Sequence, residues 1–401
     1  MATRSYTVLR ELRGLSTAEP FGPRTRAAPA ARAVTPPEPR VEVESLARRD
    51  VQDLARDPSV AAIAPVMPTR LIEPFEVEAS AAPASAWGVS AVKADESPFT
   101  GAGVSVSVLD TGIDRGHPAF QGVTVAEQDF SGAGIGDRQG HGTHCAGTIA
   151  GRDVSGTRIG VARGVTHLLI GKVLRDDGSG DSDMIFRGIQ WALQENADVI
   201  SMSLGFDFPG LVADLVGQGW PPDLATSLAL EAYRANLRMF DALMEIVEAR
   251  SAFGHGTVLV AAAGNESQRD KNPEHEIAVS IPAAAQGIVS VGALQTGQGG
   301  LQIAPFSNTF PQVSAPGVGV LSARAGGGLR ALSGTSMATP HVAGVTALWW
   351  EAVRSSPIGA ASTAVLARLL ANTRINGFAT GVDPADRGSG IVTAPLAPLT
   401  S

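Results

Sequence analysis

Short runs of apolar, mostly β-branched residues recur along the chain from residue 103, and helical or turn-like stretches separate them. The runs are GVSVSVLD, HLLIGKVL, ADVISMSLG, GTVLVAAAGN and GIVSVGAL. Continuous apolar strands that alternate with helices are typical of a mainly parallel sheet covered by helices on both faces. The sequence therefore predicts an α/β fold with three layers. Reacting groups in such sheets lie at the carboxyl ends of the strands, where Asp110, Gly205 and Asn265 fall.

The composition of the chain narrows the classes of protein to consider. The 401 residues are 44% hydrophobic and 17% charged, and the net charge is −8. A net negative charge argues against nucleic acid or an anionic membrane as a partner. The N-terminal stretch MATRSYTVLRELRGLSTAEPFGPRTR has no uninterrupted apolar segment, so the sequence indicates no secretory signal. We therefore expect a cytoplasmic protein, with secretion as the alternative.

The first eighty residues differ in character from the rest. Residues 17–40 are rich in proline, alanine and arginine and have no apolar period, which indicates a linker. Strand-like stretches on both sides of the linker, with one short helical stretch, predict a small α/β element. We therefore divide the chain into an N-terminal region, residues 1–80, and a main domain, residues 81–401.

Three glycine-rich motifs each carry one member of an acid, base and nucleophile set. They are SVLDTGIDRGHP with Asp110, GHGTHCAGTIAG with His141, and SGTSMATPHVAG with Ser336. A serine hydroxyl is a poor nucleophile until an imidazole takes its proton and a carboxylate orients that imidazole. Each residue alone would be read as a turn, core or helix-capping residue. Their joint occurrence in the order aspartate, histidine, serine favours a catalytic triad.

The three motifs resemble those of the subtilases, the subtilisin-like serine proteases, and the likeness extends over most of the main domain. The resemblance implies a subtilisin-like fold and a serine endopeptidase that works through an acyl-enzyme. It makes Ser336 the nucleophile, His141 the general base and acid, and Asp110 the orienting carboxylate. Asn265 and the backbone N–H of Ser336 would form the oxyanion hole. We expect Ser336 to start a helix whose first turn contains Pro340.

The resemblance also implies a cleft in which a peptide or protein substrate binds as an added β-strand. Two Gly/Ser-rich segments would pair with the substrate backbone, and the end of a third strand would line the pocket for the residue whose carbonyl is attacked, the S1 pocket. The residues assigned to these roles are Gly178, Ser179, Gly180, Ser203, Leu204, Gly205, Ala263 and Gly264.

Calcium, which many subtilases bind, lacks its usual ligand in this sequence. The residue after the HP of the first motif is Ala119, where the family often has aspartate. We therefore expect no metal and no other cofactor. Four further residues are interpreted as packing or turn residues, the last of them beneath the imidazole of the triad: His117, His144, His341 and Cys145.

Residues 206–252 form an insertion relative to a compact subtilase. Apolar residues recur at helical spacing in its second half, at Leu230, Tyr233, Leu237, Phe240, Met244 and Val247. This spacing predicts a long helix that packs on the core. The first half, FDFPGLVADLVGQGWPPD, is predicted to be a lid or recognition loop beside the part of the cleft that binds residues before the cleaved bond.

The N-terminal region resembles the second half of the inhibitory propeptide of secreted subtilases in the stretch VQDLARDPSVAAIAPVMPTRLIEP. We expect it to act as an intramolecular inhibitor, with residues 74–82 in the cleft and self-cleavage within residues 74–85. Two other functions stay open at this point. One is a peptide ligase or macrocyclase on the same fold, and the other is a substrate-binding pseudoprotease.

Overall fold

A computed structural model describes residues 3–12, 37–76, 86–254, 256–357 and 359–399. Most of the predicted linker at 17–40 and the later part of the predicted cleavage segment, residues 77–85, lie outside the described residues.

The strands of the described residues are, in chain order, β1 (Arg4–Leu12), β2 (Glu38–Leu46), β3 (Val60–Pro65), β4 (Pro68–Leu71), β5 (Phe75–Glu76), β6 (Ser105–Asp110), β7 (Thr124–Asp129), β8 (His167–Lys172), β9 (Ser179–Asp181), β10 (Val199–Met202), β11 (Leu204–Phe206), β12 (Val258–Ala262), β13 (Val289–Gly297), β14 (Gly300–Ile303), β15 (Val313–Pro316), β16 (Val320–Ala323) and β17 (Leu329–Ser333).

The helices are α1 (Arg48–Leu54), α2 (Trp87–Ala91), α3 (His141–Ala150), α4 (Ser182–Gln194), α5 (Phe208–Gly217), α6 (Pro222–Ser251), α7 (Thr335–Arg354), α8 (Ser362–Ala371) and α9 (Pro384–Arg387), with one 3₁₀ turn at Pro118–Phe120. Among the described residues, no helix is both long enough and apolar enough to cross a bilayer.

The central sheet has the order β14-β13-β12-β10-β6-β8-β7, with β15 also paired to β13. Its neighbouring strands are parallel except for the antiparallel pair β13 and β14. The alternation of side chains divides each strand between two cores. In β12, Val258 and Val260 pack with α3 and α7, whereas Leu259 and Ala261 pack with α4 and α6. The predicted three-layer α/β fold is therefore confirmed.

The carboxyl edge of the sheet gathers the residues that the motifs singled out. Asp110 is the last residue of β6, and Asn265 follows β12 by three residues. His141 opens α3, and Ser336 is the second residue of α7. The parallel order of the strands places all four at one edge, as expected for an α/β sheet.

The N-terminal region forms an antiparallel sheet in the order β2-β1-β3. This sheet lies on α4 and α6, where the backbone N–H of Val41 donates to Gln190 Oε1 at 2.7 Å and Asn236 Nδ2 donates to the carbonyl of Pro65 at 2.9 Å. The chain then continues through β4 and β5 toward the carboxyl edge of the central sheet. The small element therefore depends on the main domain for its packing.

The insertion folds into two helices, α5 and α6. The long helix is present as predicted, but its phase differs from the prediction because Leu230 is 47% exposed. The buried stripe includes Ala225, Ala229 and Ala232, whose short side chains allow close helix contact. The segment predicted as a loop begins as a helix, since Asp207 caps α5 by accepting the N–H of Gly210 at 3.1 Å.

Candidate active site

Asp110 and His141 form a hydrogen-bonded pair at the carboxyl edge of the sheet. Nδ1 of His141 lies 2.8 Å from Oδ1 and 3.0 Å from Oδ2 of Asp110, and both side chains are fully buried. The N–H of Thr111 also donates to Oδ1 of Asp110 at 2.7 Å and fixes the carboxylate. Because Asp110 accepts the Nδ1 proton, the other ring nitrogen, Nε2, is the one available as a base.

The environment of His141 favours its charged form. Burial lowers the pKa of the imidazole, but the charge of Asp110 and the neighbouring Cys145 sulfur outweigh burial. The pKa of His141 is therefore raised well above the usual 6.5. A histidine that is stabilised as an imidazolium is suited to receiving a proton from a hydroxyl.

Ser336 lies in the first turn of α7, where backbone N–H groups have no acceptor within the helix and attract negative charge. Pro340 is the sixth residue of α7, so the sequence analysis was wrong to place it in the first turn. A proline there removes the N–H that would bond to the carbonyl of Ser336. The hydroxyl of Ser203, at 3.1 Å, and the thiol of Cys145, at 3.5 Å, donate to that carbonyl instead.

The hydroxyl of Ser336 is turned toward a segment of the N-terminal region. It donates to the carbonyl of Ile72 at 3.1 Å and lies 3.4 Å from the carbonyl of Ser203. Nε2 of His141 is buried and has no hydrogen-bond partner among the described residues. The Ser336 hydroxyl and Nε2 of His141 are therefore not hydrogen-bonded to each other.

Asn265 presents its amide N–H₂ to the cleft. Its Oδ1 accepts hydrogen bonds from the N–H and the hydroxyl of Thr335, both at 2.9 Å. Because these donors fix the oxygen end of the amide, Nδ2 points the other way, and it donates to the carbonyl of Glu73 at 3.1 Å. Nδ2 of Asn265 and the first turn of α7 therefore provide hydrogen-bond donors on one side of the cleft.

The cleft itself holds residues 68–76 of the chain. β4 lies between β9 and β11 and is antiparallel to both. The segments assigned from the sequence line these two sides: Gly178, Ser179, Gly180, Ser203, Leu204 and Gly205. On the other side of Ser336, β5 pairs with β17. Residues 74–82 were expected in the cleft, whereas the segment found there begins six residues earlier, at Pro68.

Ile72 is buried against the floor of the cleft. A β-carbon added to Gly205 would lie 3.5 Å from its Cγ1, an ordinary van der Waals distance, so Gly205 lies directly against the isoleucine. Ala263 lies close by, because its carbonyl accepts the N–H of Ser280 at 3.1 Å, and Ser280 also faces Gly205. Gly205, Ala263 and Ser280 therefore lie around the side chain of Ile72.

The sequence profile of the Subtilase family matches residues 101–390. The chain belongs to the subtilase family. It is a serine-type endopeptidase and acts on peptides or proteins. The family identification confirms the resemblance that was drawn from the three glycine-rich motifs.

Named relatives agree with this assignment. Subtilisin E of Bacillus subtilis (strain 168) is 34% identical over 318 residues, which are 76% of this chain and 68% of the relative. The major intracellular serine protease of the same strain is 32% identical over 272 residues, which are 65% of this chain and 73% of the relative. A cuticle-degrading serine protease of Arthrobotrys oligospora is 33% identical over 314 residues, 74% of this chain and 65% of the relative.

Asp137 is a structural residue of this subtilase that the sequence analysis missed. Its Oδ1 accepts the hydroxyl of Thr111 at 2.9 Å and the N–H of Gly140 at 2.6 Å. Its Oδ2 accepts the N–H and hydroxyl of Thr143 at 2.8 and 2.6 Å. One carboxylate thus ties the loop after β6 to the first turn of α3. An aspartate just before a helix is the only local signal for this role.

Asn308 supports the loop of Asn265 in the same way. Its Nδ2 donates to the carbonyl of Ala263 at 3.1 Å and to Glu266 Oε2 at 2.7 Å. Gly264 lies between these partners with φ +112°, and a β-carbon there would come within 2.3 Å of Asn308 Nδ2. Gly264 therefore shapes the loop through its conformation and its lack of a side chain.

Three further histidines of the subtilase motifs, His117, His144 and His341, and the cysteine are buried in packing positions. Burial lowers the pKa of His144 to about 3 and that of His341 to about 4, so both are neutral. His117 contacts the carbonyl of Gly328 at 2.8 Å. Cys145 lies 3.7 Å from Nδ1 of His141, and burial raises the pKa of its thiol. The predicted position of Cys145 beneath the imidazole agrees with this geometry.

Proposed function

We propose that this subtilase cleaves peptide bonds through an acyl-enzyme on Ser336, with His141 as base and acid and Asp110 orienting it. The observation that carries the proposal is the carbonyl of Ile72, held 3.1 Å from the Ser336 hydroxyl in a cleft beside the buried Asp110–His141 pair. A serine beside a buried imidazole, with a peptide carbonyl within reach of its hydroxyl, supplies the groups that nucleophilic attack on that carbonyl needs.

The reaction follows from these positions. The Ser336 hydroxyl passes its proton to Nε2 of His141 while Oγ bonds to the carbonyl carbon, and Nδ2 of Asn265 and the Ser336 N–H stabilise the oxyanion. His141 then gives the proton to the departing amine as the C–N bond breaks. A water molecule attacks the remaining ester with His141 again as base, and the acid product leaves Ser336 free.

The N-terminal region is proposed to be an intramolecular inhibitor of the same site. Two features of the bound segment support a resting state. The Ser336 hydroxyl bonds to Ile72 rather than to His141, and Asn265 holds the next carbonyl, that of Glu73. For reaction, the hydroxyl must turn to Nε2 and the Ile72 carbonyl must replace that of Glu73 at Asn265. Until then the segment fills the cleft without being cut.

Self-cleavage tests both parts of the proposal. We expect the refolded wild-type chain to be cut slowly after Ile72, which gives a product that begins at Glu73, because Ile72 is the residue in the S1 pocket. Intact-mass spectrometry over time measures the product, and peptide hydrolysis should rise as it forms. The Ser336→Ala chain is the control and should keep its full mass. An uncut wild-type chain with full activity from the start would contradict the inhibitor.

Product analysis separates hydrolysis from ligation. A peptide substrate is incubated with an excess of a second peptide that has a free amino group, and the products are weighed by mass spectrometry. We expect acid products formed by water, since the described insertion helices pack against β3 and β4 on the N-terminal side of the cleaved bond. A dominant joined product would favour the ligase.

The pH dependence of the processed enzyme should follow His141. A base must be neutral to accept a proton, and the pKa of His141 is raised, so kcat/KM should rise with pH through a midpoint above 6.5. Asp110→Asn removes the charge that raises the pKa, so its midpoint should fall along with the rate. Asp114→Asn is the control: it also removes one carboxylate charge, four residues after Asp110, and it should keep the wild-type midpoint. A wild-type midpoint below 6.5 would contradict the assignment.

A further inference from the structure

Arg70 is a charged residue of the bound segment that lies in contact with two carboxylates of the main domain. It is the third residue before the Ile72–Glu73 bond when Ile72 is counted as the first, and it pairs with Gly205 in β11 and Ser179 in β9. Its Nη1 lies 3.4 Å from Asp207 Oδ1, and its Nη2 lies 3.9 Å from Glu266 Oε1. One guanidinium therefore spans two acidic side chains.

Both carboxylates are held by the protein and not by Arg70 alone. Asp207 caps α5 by accepting the N–H of Gly210 at 3.1 Å, a bond within the main domain. Oε2 of Glu266 accepts Asn308 Nδ2 at 2.7 Å, and the N–H of Glu266 donates to Asn308 Oδ1 at 3.1 Å. The caps and amide bonds keep the two acids in place when another peptide replaces the segment, so the site is preorganised for a cation.

We propose that Asp207 and Glu266 form a subsite that selects arginine or lysine at the third residue before the cleaved bond of substrates. The inference rests on the proposed protease function and specifies which peptides that site prefers. The main domain carries the net negative charge of the chain, which attracts basic peptides in general. The acid pair restricts the preference for basic residues to one position of the substrate, the third before the cleaved bond. One of the two acids, Asp207, lies at the start of the insertion.

The strength of the preference is set by exposure. The side chain of Arg70 is 46% exposed, and those of Asp207 and Glu266 are 23% and 37% exposed. Ion pairs at such positions are weakened by water and salt, so the two contacts together should change kcat/KM by about three- to tenfold. Asp177 lines a separate cavity beside Arg70, and its carboxylate accepts the N–H and hydroxyl of Ser179 at 2.9 and 2.6 Å.

The test compares peptides that differ only at that third position. Peptides with the sequence Xaa-Leu-Ile before the cleaved bond carry Arg, Gln or Glu as Xaa, and kcat/KM is measured with the processed enzyme. We expect Arg to exceed Gln by about three- to tenfold at low salt and Glu to fall below Gln. The ratio of Arg to Gln should shrink toward one at high salt, because the carboxylates are partly exposed.

Variants connect the preference to the two acids. In Asp207→Asn/Glu266→Gln the ratio of Arg to Gln should fall to about one, with both rates measured on the same variant so that any general loss of activity cancels. These changes keep the hydrogen bonds, since asparagine also caps helices and glutamine can still accept from Asn308. Asp214→Asn removes an exposed charge from the same helix α5 and should keep the wild-type ratio. In the full chain, Arg70→Gln should slow self-cleavage in the wild type and not in the double variant.

The outcomes distinguish the subsite from the protease function. Equal rates for Arg and Gln peptides in an active enzyme would overturn the subsite and leave the proposed function standing. A preference for Arg that persists in the double variant would also overturn it, because the selection would then come from other groups. A chain that hydrolyses none of the peptides and takes up no fluorophosphonate would overturn both.

Discussion

Ser336→Ala should abolish peptide hydrolysis and leave the fold intact. The change removes the oxygen that forms the acyl-enzyme, and the expected loss is about 10⁶-fold in kcat, the size measured for the serine of subtilisin. The fold should survive because, among the described residues, the hydroxyl shares its one proton between the carbonyls of Ile72 and Ser203 and makes no other hydrogen bond. Initial rates with a fluorogenic peptide and thermal melts by circular dichroism measure the two effects.

A matched control uses the other end of the same helix. Ser355→Ala removes an exposed hydroxyl that donates to the carbonyl of Glu351 at 2.8 Å, and it should leave the rate unchanged. If Ser336→Ala kept a tenth of the wild-type rate, the nucleophile would have to be another residue. If it lost activity together with the cooperative melt, the Ser336→Cys variant would replace it, since that change keeps a side chain of similar size.

Asn265→Ala should lower kcat by about 10²- to 10³-fold with little change in KM. Removal of the asparagine that donates to the oxyanion in subtilisin lowers kcat by this amount. The amide is needed when negative charge develops on the carbonyl oxygen, so its loss falls on the chemical step. Full progress curves at several peptide concentrations give kcat and KM separately. Thr335 should act through Asn265, because its N–H and hydroxyl hold the amide oxygen.

Asn372→Ala serves as the control for this variant. Asn372 is exposed and donates to the carbonyl of Arg368 at 2.8 Å at the end of α8, so its loss should not alter the kinetics. A rise in KM with kcat preserved would contradict the role of Asn265, because it would mean that the amide binds the ground state and the transition state equally.

The sequence predicts the sheet and the motif residues because their signals are local. A continuous apolar run that ends in Asp110 indicates both a buried strand and the edge to which it leads. The same holds for Asn265 after β12 and for His141 and Ser336 at the starts of helices. The types of these residues and their order along the chain are sufficient to predict that they belong to one site.

The supporting residues could not be predicted because each joins two segments that are distant from one another in the chain. Asp137 acts by joining the loop after β6 to α3, and Asn308 by holding the loop of Asn265. The neighbouring sequence of Asp137 indicates a helix cap at most, and the sequence around the two residues indicates neither Thr111 nor Ala263 as a partner. The carbonyl that Pro340 leaves unpaired is likewise satisfied across the fold, by the side chains of Ser203 and Cys145.

Two further errors have the same physical origin. The apolar spacing gives a helix its period, but the surface that the helix packs against decides its phase, so Leu230 faces solvent while Ala229 and Ala232 are buried. The segment in the cleft is fixed by where β1, β2 and β3 dock on α4 and α6. Because Pro65 is held on α6 by Asn236, the chain that follows it reaches Ser336 at Ile72. The sequence alone does not show where the N-terminal sheet docks, so it cannot show which residue reaches the serine.

The most direct test of the central claim is the covalent capture of the nucleophile. The processed enzyme is treated with a fluorophosphonate while peptide hydrolysis is followed, and the labelled peptide is then identified by tandem mass spectrometry. We predict one phosphonate per active molecule, located on Ser336, with hydrolysis lost in proportion to labelling and no label on the Ser336→Ala chain. Hydrolysis that survives complete labelling of Ser336, or a label on a different residue that tracks the loss of activity, would contradict the account.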